Sequence, residues 1–340
     1  MRIQELLEGG WTSTVTQKTV INPSVIKKAL LVIEKYFKDF NAWHKGQPPV
    51  KVGHPTGSSA YYKVDPEDKI YGDIDLQVVV PELPGTEELT SSQLQYFWYK
   101  KFDEFLAATK PNYVHPESIS GHPIVKVGKD AFVQIDLMPH PPKFATWGRF
   151  RTTPEHNVKG LLYGYMYSVL STLLNLSIQS SGVQYREKDG VRVSYTTSKD
   201  KPKTISLDIN NFIKDLFNFE YKRMTGKDPS SARVDPLLDQ YPGINTDQVK
   251  ISDFVNGVKG LARSFEANGM FGRDVLEPYA NAHEFLNKFV SNYEAKAINA
   301  TKAKKMDKAE TPEAKARAEA DRKKISDGLA MVKKLFANNN

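Results

Sequence analysis

Residues 56–80 read TGSSAYYKVDPEDKIYGDIDLQVVV, and the order of residue types in this stretch decides what fold to expect. A small-residue turn, Gly57-Ser58-Ser59, comes first. Asp73 and Asp75 follow, flanking Ile74, and Asp75 leads directly into the apolar run Leu76–Val80. The segment Ile70–Val80, closed by Pro81 and Pro84, has the composition of one strand. Side chains alternate along a strand, so Asp73 and Asp75 are expected on one face with Ile74 and Leu76 in the core. Their Cα atoms would lie roughly 6.5–7 Å apart. A third aspartate, Asp136, sits inside the equally strand-like FVQIDLMP of residues 132–139.

The flanking sequence supplies the rest of a small α+β core. Upstream, MRIQELLE has the pattern of a short amphipathic turn stopped by Gly9-Gly10. Asn22 is placed to cap a helix with Pro23 at its tolerated first position. Val25, Ile26, Ala29, Leu30, Ile33, Phe37 and Phe40 then recur at helical spacing. Residues 1–45 are accordingly expected to be a helical segment packing on a core that spans 46–142. Within that core, Pro49–Val52 reads as a short strand entering the glycine turn. Ala60–Tyr62 opens a short helix, and Asp65–Asp68 forms a polar turn. A helix over Ser91–Thr109 buries Leu94, Phe97, Trp98, Phe102, Phe105 and Leu106. A hairpin joins Ile124–Val127 to Ala131–Met138 around Gly128-Lys129-Asp130. The expected architecture is a small mixed sheet with helices.

Residues 143–300 read as a mainly helical second domain. Its helices are expected over Val158–Ser177, Asn210–Thr225, Ile251–Ala267 and Arg273–Ala300, with a β insertion of two or three strands at about 183–209. Residues 301–340 form a basic tail. It is alanine-rich and charged to Lys324, after which Ile325, Leu329, Val332 and Phe336 restore an amphipathic turn or two able to dock on the body or on a partner.

Composition narrows the function classes. The 340 residues suffice for two modest cores. With no cysteine, disulfides, thiolate metal sites and cysteine nucleophiles are excluded. The start lacks a signal-peptide pattern and no apolar run reaches membrane-spanning length, so a soluble, cytoplasmic protein with no membrane partner is expected. Of the net charge of +7, +6 sits beyond residue 287, where thirteen Lys and Arg face seven Asp and Glu. Such a tail suits contact with RNA or another polyanion, and equally suits a solvated helix.

Three clustered carboxylates without counter-charge repel, and one would protonate unless a cation intervened. Mg²⁺, or Mn²⁺ in its place, relieves that repulsion through oxygen ligands. Two such ions about 3.5–4 Å apart serve in-line displacement at phosphorus. The glycine turn complements the acids: Gly57 lets backbone N–H groups approach phosphate oxygens, and Ser58 adds a hydroxyl. Ser59 reads equally as a phosphate donor or a helix cap.

A GS turn after a strand, a D-h-D strand and a lone Asp on a later strand resemble the polymerase-β-like nucleotidyltransferase superfamily. The resemblance covers roughly Val50–Pro139, with a spacer from Ser58 to Asp73 that is longer than usual for the family. It implies that Gly57 and Ser58 hold nucleotide phosphates. It implies further that Asp73 and Asp75 ligate two Mg²⁺ ions, and that Asp136 ligates the catalytic ion and helps deprotonate the attacking hydroxyl. The implied activity is metal-dependent transfer of a nucleoside monophosphate from an NTP substrate to an acceptor hydroxyl, template-independent, on RNA or another nucleic acid. Joining nucleotides into cyclic oligonucleotides, or modifying a protein or small molecule, is the alternative. A catalytically silent nucleotide- or nucleic-acid-binding protein is a second alternative.

Outside this constellation the signals are weaker. His44, His54, His115, His122, His140, His156 and His283 show no metal-ligand spacing. Arg149, Arg151 and Lys159 follow the third aspartate and could reach a triphosphate, Lys159 being expected to bind phosphate, and surface ion pairing explains such residues as well. Tyr163, Tyr165 and Tyr167 are spread around a helix and read chiefly as packing.

Overall fold

Asn22 starts the first helix as its position implies, its Oδ1 accepting from the Val25 N–H at 2.9 Å ahead of Pro23. The computed structural model describes residues 19–63, 65–86, 89, 91–119, 121–142, 159–179, 182–209, 211–239, 251–303 and 312–337. The chain divides into two units, Met1–Arg149 and Phe150–Asn340.

The first unit runs α1 (Pro23–Trp43), β1 (Lys51–Pro55), a 3₁₀ helix (Gly57–Tyr61), β2 (Asp75–Val79), α2 (Ser91–Thr109), β3 (Ile124–Lys126), β4 (Phe132–Gln134) and β5 (Asp136–His140). The apolar stripe of α1 is buried at Ile26, Ala29, Ile33, Phe37 and Phe40, as its spacing requires, and Tyr36 joins it. These rings mesh edge-to-face with α2. Tyr36 and Phe105 lie 5.2 Å apart between centroids, and Phe40 and Phe102 5.1 Å. Each such pair adds about 0.5–1.5 kcal/mol beyond the area it buries. Trp98, fully buried, fills the same layer.

β1, β2 and β5 form one sheet in that order, with β1 antiparallel and β5 parallel to β2. Leu76, Gln77 and Val78 are all buried because β2 is the central strand, covered on both faces. β3 and β4 form a separate two-stranded hairpin.

Three sequence expectations change here. The strand drawn from Ile70 to Val80 is confined to Asp75–Val79, which leaves Asp73 and Ile74 in the approach to it. The strand drawn over Ala131–Met138 is two strands. Ile135 N donates to Pro123 O at 3.0 Å, toward the hairpin, and Asp136 N donates to Ile74 O at 2.9 Å, toward the three-stranded sheet. The chain therefore changes sheets within one residue. The short helix begins at Gly57 rather than Ala60, and it is 3₁₀.

The second unit runs α3 (Lys159–Leu173), β6 (Ser177–Gln179), β7 (Gly182–Lys188), β8 (Val191–Val193), β9 (Lys203–Ser206), α4 (Phe212–Thr225), α5 (Pro236–Asp239), α6 (Ile251–Ala267), α7 (Ala282–Ala303) and α8 (Pro312–Ala337). The β insertion has four strands, with β7 pairing antiparallel to the other three. It starts earlier than expected because α3 stops at Leu173. Asn175 turns the chain at φ +51°, and Leu176 N donates back to Ser171 O at 2.8 Å. The helix expected from Arg273 starts at Ala282, with only a 3₁₀ turn over Asp274–Leu276 before it.

A buried ion cluster ties the insertion to the helices. Glu220 of α4, fully buried, pairs with Arg192 of β8 and with Arg223, and Arg223 pairs in turn with Asp274. The tail helix α8 docks through Ile325 and Val332, both buried. Phe336 lies 5.3 Å from Phe289 between ring centroids. Buried Lys259 of α6 donates from Nζ to Leu335 O at 2.8 Å, satisfying a carbonyl that the last helical turn leaves unpaired. Among the described residues, no helix is long and apolar enough to cross a membrane.

Candidate metal centre

Asp75 and Asp136 are register partners at the first positions of β2 and β5. Parallel pairing in this register sets their carboxylates side by side at one end of the sheet. Asp73 approaches from the segment just before β2. One carboxylate oxygen from each of the three lies within 4.8 Å of the other two. Sequence spacing assigned Asp73 and Asp75 to one strand face. The structure instead joins Asp75 to Asp136 across a strand pair and brings Asp73 in from outside the sheet.

The glycine turn closes against the same point. Thr56 N donates to Asp75 O at 2.8 Å, extending the β1–β2 ladder to the turn. Gly57 then takes φ +56°, and a Cβ built there would stand 2.3 Å from Asp75 Oδ2. Any side chain at residue 57 collides with the carboxylate, so glycine is needed here for both conformation and space. Ser59 is fully buried and its hydroxyl donates to Thr56 O at 2.8 Å, so it serves the turn itself rather than facing a ligand. The side chains of Ser58 and Lys159 lie outside the described residues, as do Arg149 and Arg151. Tyr167 is buried against Phe212 and Phe254, and half-buried Tyr165 packs on Tyr293, which gives both a packing role.

Two further residues complete the arrangement around Asp136. Its Oδ1 lies 2.7 Å from His122 Nδ1 and accepts from Gln134 Nε2 at 2.8 Å. Neither residue stood out in the sequence as a site member. Gln134 precedes Asp136 by two residues, the spacing that shares a strand face, and that was the available signal. His122 reaches the site only through the turn before β3, and no local spacing reports it.

The electrostatics are those of an uncompensated acidic cluster. Burial, with the Asp73 and Asp136 charges adding to it, pushes the Asp75 carboxyl up to about 7. Burial and Asp136 raise Asp73 in the same direction. Among the described residues, no lysine or arginine forms an ion pair with any of the three. Three convergent carboxylates, two of them pushed upward in pKa by burial first and by neighbouring carboxylate charge second, are a donor set that fits a hard divalent cation. All-oxygen ligation suits Mg²⁺ or Mn²⁺ over softer metals.

No protein-family model matches the chain, and no curated protein matches it. Among solved structures, the chain is similar to the E. coli MS115-1 CdnC:HORMA-deltaN complex at 13% sequence identity. The alignment covers 90% of this chain and 94% of that one with a TM-score of 0.28.

Proposed function

We propose that the protein is a metal-dependent nucleotidyltransferase that moves a nucleoside monophosphate from an NTP to an acceptor hydroxyl. The observation that supports this reading best is the juxtaposition of Asp75 and Asp136 on neighbouring parallel strands, with Asp73 converging and the Gly57 turn pressed against Asp75. Asp73, Asp75 and Asp136 would hold the cations, Asp73 and Asp75 serving both of two ions. Mg²⁺ bound there supplies charge neutralisation and polarisation at the phosphates.

The remaining chemistry belongs to the chain. The turn at Gly57–Ser58 is proposed to offer backbone N–H groups to the triphosphate and, on sequence grounds, the Ser58 hydroxyl, while the absence of a side chain at residue 57 leaves the Asp75 carboxylate in place. Asp136 accepts the proton of the acceptor hydroxyl. The hydroxyl oxygen forms a bond to the α-phosphorus while the bridge to the β-phosphate breaks, and pyrophosphate leaves with the bonding pair. Lys159 is proposed as a further phosphate contact, on sequence grounds.

The acceptor is proposed to be RNA or another nucleic acid, used without a template. The charge of the tail supports this, together with the exposure of Lys315, Lys323 and Lys334 on α8. Incubation with α-labelled NTPs and Mg²⁺, with and without RNA, tests the reading. Extension of RNA is the expected product. Labelled oligonucleotides formed without RNA would replace the acceptor with a second nucleotide, and labelled protein would replace it with a polypeptide. Asp73→Asn should abolish transfer while the fold is retained, and transfer surviving that substitution would remove the site assignment.

A further inference from the structure

The carboxylate of Asp136 is held at one oxygen by two donors, and the surroundings hold those donors in turn. A carboxylate can only accept, so the hydrogen of the 2.7 Å contact sits on His122 Nδ1. Gln134 Nε2 donates to the same Oδ1 at 2.8 Å. Two hydrogen bonds occupy the two lone pairs of Oδ1, which leaves Oδ2 as the Asp136 oxygen with lone pairs to offer a cation. An aspartate carboxyl otherwise turns within a broad torsional well.

The rest of the surroundings fix His122. Its N–H donates to Ile119 O at 2.8 Å, and Gly121 O accepts from Leu137 N at 2.8 Å, strapping the turn to β5. The Tyr99 ring stands 6.2 Å from the His122 ring, and its hydroxyl donates to Leu137 O at 2.7 Å. That ring occupies the place where a side chain at residue 121 would be. A Cβ on Gly121 would meet Tyr99 Cε1 at 2.4 Å, and Gly121 has φ +75°.

We infer that His122 and Gln134 are positioning residues that clamp Oδ1 of Asp136, so that Oδ2 is presented to the cation and the acceptor proton. The inference rests on the nucleotidyltransferase reading for the cation's purpose, and on the geometry alone for the clamp. Carboxylate ligands of metals are commonly oriented in this way by outer hydrogen-bond partners, whose loss weakens metal binding about 10–100-fold.

Mn²⁺ titration of the full-length chain, followed by electron paramagnetic resonance without nucleotide, is the test. His122→Ala should weaken Mn²⁺ binding about 10–100-fold while the thermal transition stays in place. His122→Asn, whose amide nitrogen takes the position of Nδ1, should restore most of the affinity. Wild-type affinity in a folded His122→Ala protein, equal loss in the Asn and Ala variants, or a wild-type protein that binds no Mn²⁺ would overturn the clamp. Should His122→Ala not fold, Gln134→Met should weaken Mn²⁺ binding in its place, and wild-type affinity in a folded Gln134→Met protein would overturn the clamp. A wild-type chain that binds Mn²⁺, responds to these variants as stated and yet transfers no nucleotide would leave the clamp standing and remove the enzymatic reading.

Discussion

Replacing Asp75 with Asn should stabilise the metal-free protein while destroying the metal centre. The Asp75 carboxyl is raised from its ordinary 3.8 to about 7, by burial first and by the Asp73 and Asp136 charges after that. Because the folded state holds this proton more tightly than the unfolded chain does, the group costs nothing below about pH 4. The cost grows as pH rises and is complete above about pH 7. At about 1.36 kcal/mol per tenfold change in proton affinity, the displacement corresponds to about 4 kcal/mol. Partial solvent screening reduces that to about 1–2 kcal/mol. Asn removes the charge at almost no change in volume, so in chelator at pH 8 the variant should melt about 2–8 °C higher than wild type. The difference should shrink toward zero at pH 4–5. Mn²⁺ should reverse the order, since saturation at a hundredfold excess over Kd adds about 2.7 kcal/mol to wild type and little to the variant. Calorimetric scans across pH, with EDTA and with Mn²⁺, read all of this. A variant no more stable than wild type at pH 8 in EDTA, or a difference that does not change with pH, would refute the idea that the folded site opposes ionisation of Asp75.

Other perturbations have equally definite outcomes. Gly57→Ala introduces a Cβ beside Asp75 Oδ2 in a left-handed residue. It should cost about 1–2 kcal/mol in denaturant titrations and weaken Mn²⁺ binding at the same time. Because Asp75 must lose its proton to ligate, Mn²⁺ affinity measured by calorimetry should fall about tenfold per pH unit below 7, with about one proton released on binding. In the second unit, Glu220→Gln leaves Arg192 buried without its counter-charge. It should cost about 3–5 kcal/mol of stability by urea unfolding.

The aspartates and the glycine turn were legible because their chemistry is local. Asp73, Ile74 and Asp75 ahead of an apolar run announce a strand mouth, and Asp136 within FVQIDLMP, which alone could simply bond a neighbouring backbone or arginine, gains meaning from that pair. Helix α1 was equally legible, from Asn22 and Pro23 at one end and the stripe down to Phe40. What the sequence did not reveal was pairing. Nothing in Ala131–Met138 says that Asp136 leaves the hairpin to lie parallel to β2, because parallel partners are set by distant segments and not by a turn between them. The same limit hid His122, which meets Asp136 only after the turn at Gly121 folds under Tyr99. Ser59 stayed ambiguous in the sequence for a different reason. A serine beside a GS turn suits a phosphate donor or an internal turn bond equally, and burial decided for the turn. Asn175, with its positive φ, ended α3 where composition alone let the helix run on to Ser177.

The most direct measurement is anomalous diffraction from crystals grown with Mn²⁺ and a non-hydrolysable NTP analogue. The expected map has Mn²⁺ peaks among Asp73, Asp75 and Asp136, with the triphosphate laid against the Gly57–Ser58 turn. Mn²⁺ bound elsewhere, or a nucleotide that avoids these residues, would contradict the assignment of this site.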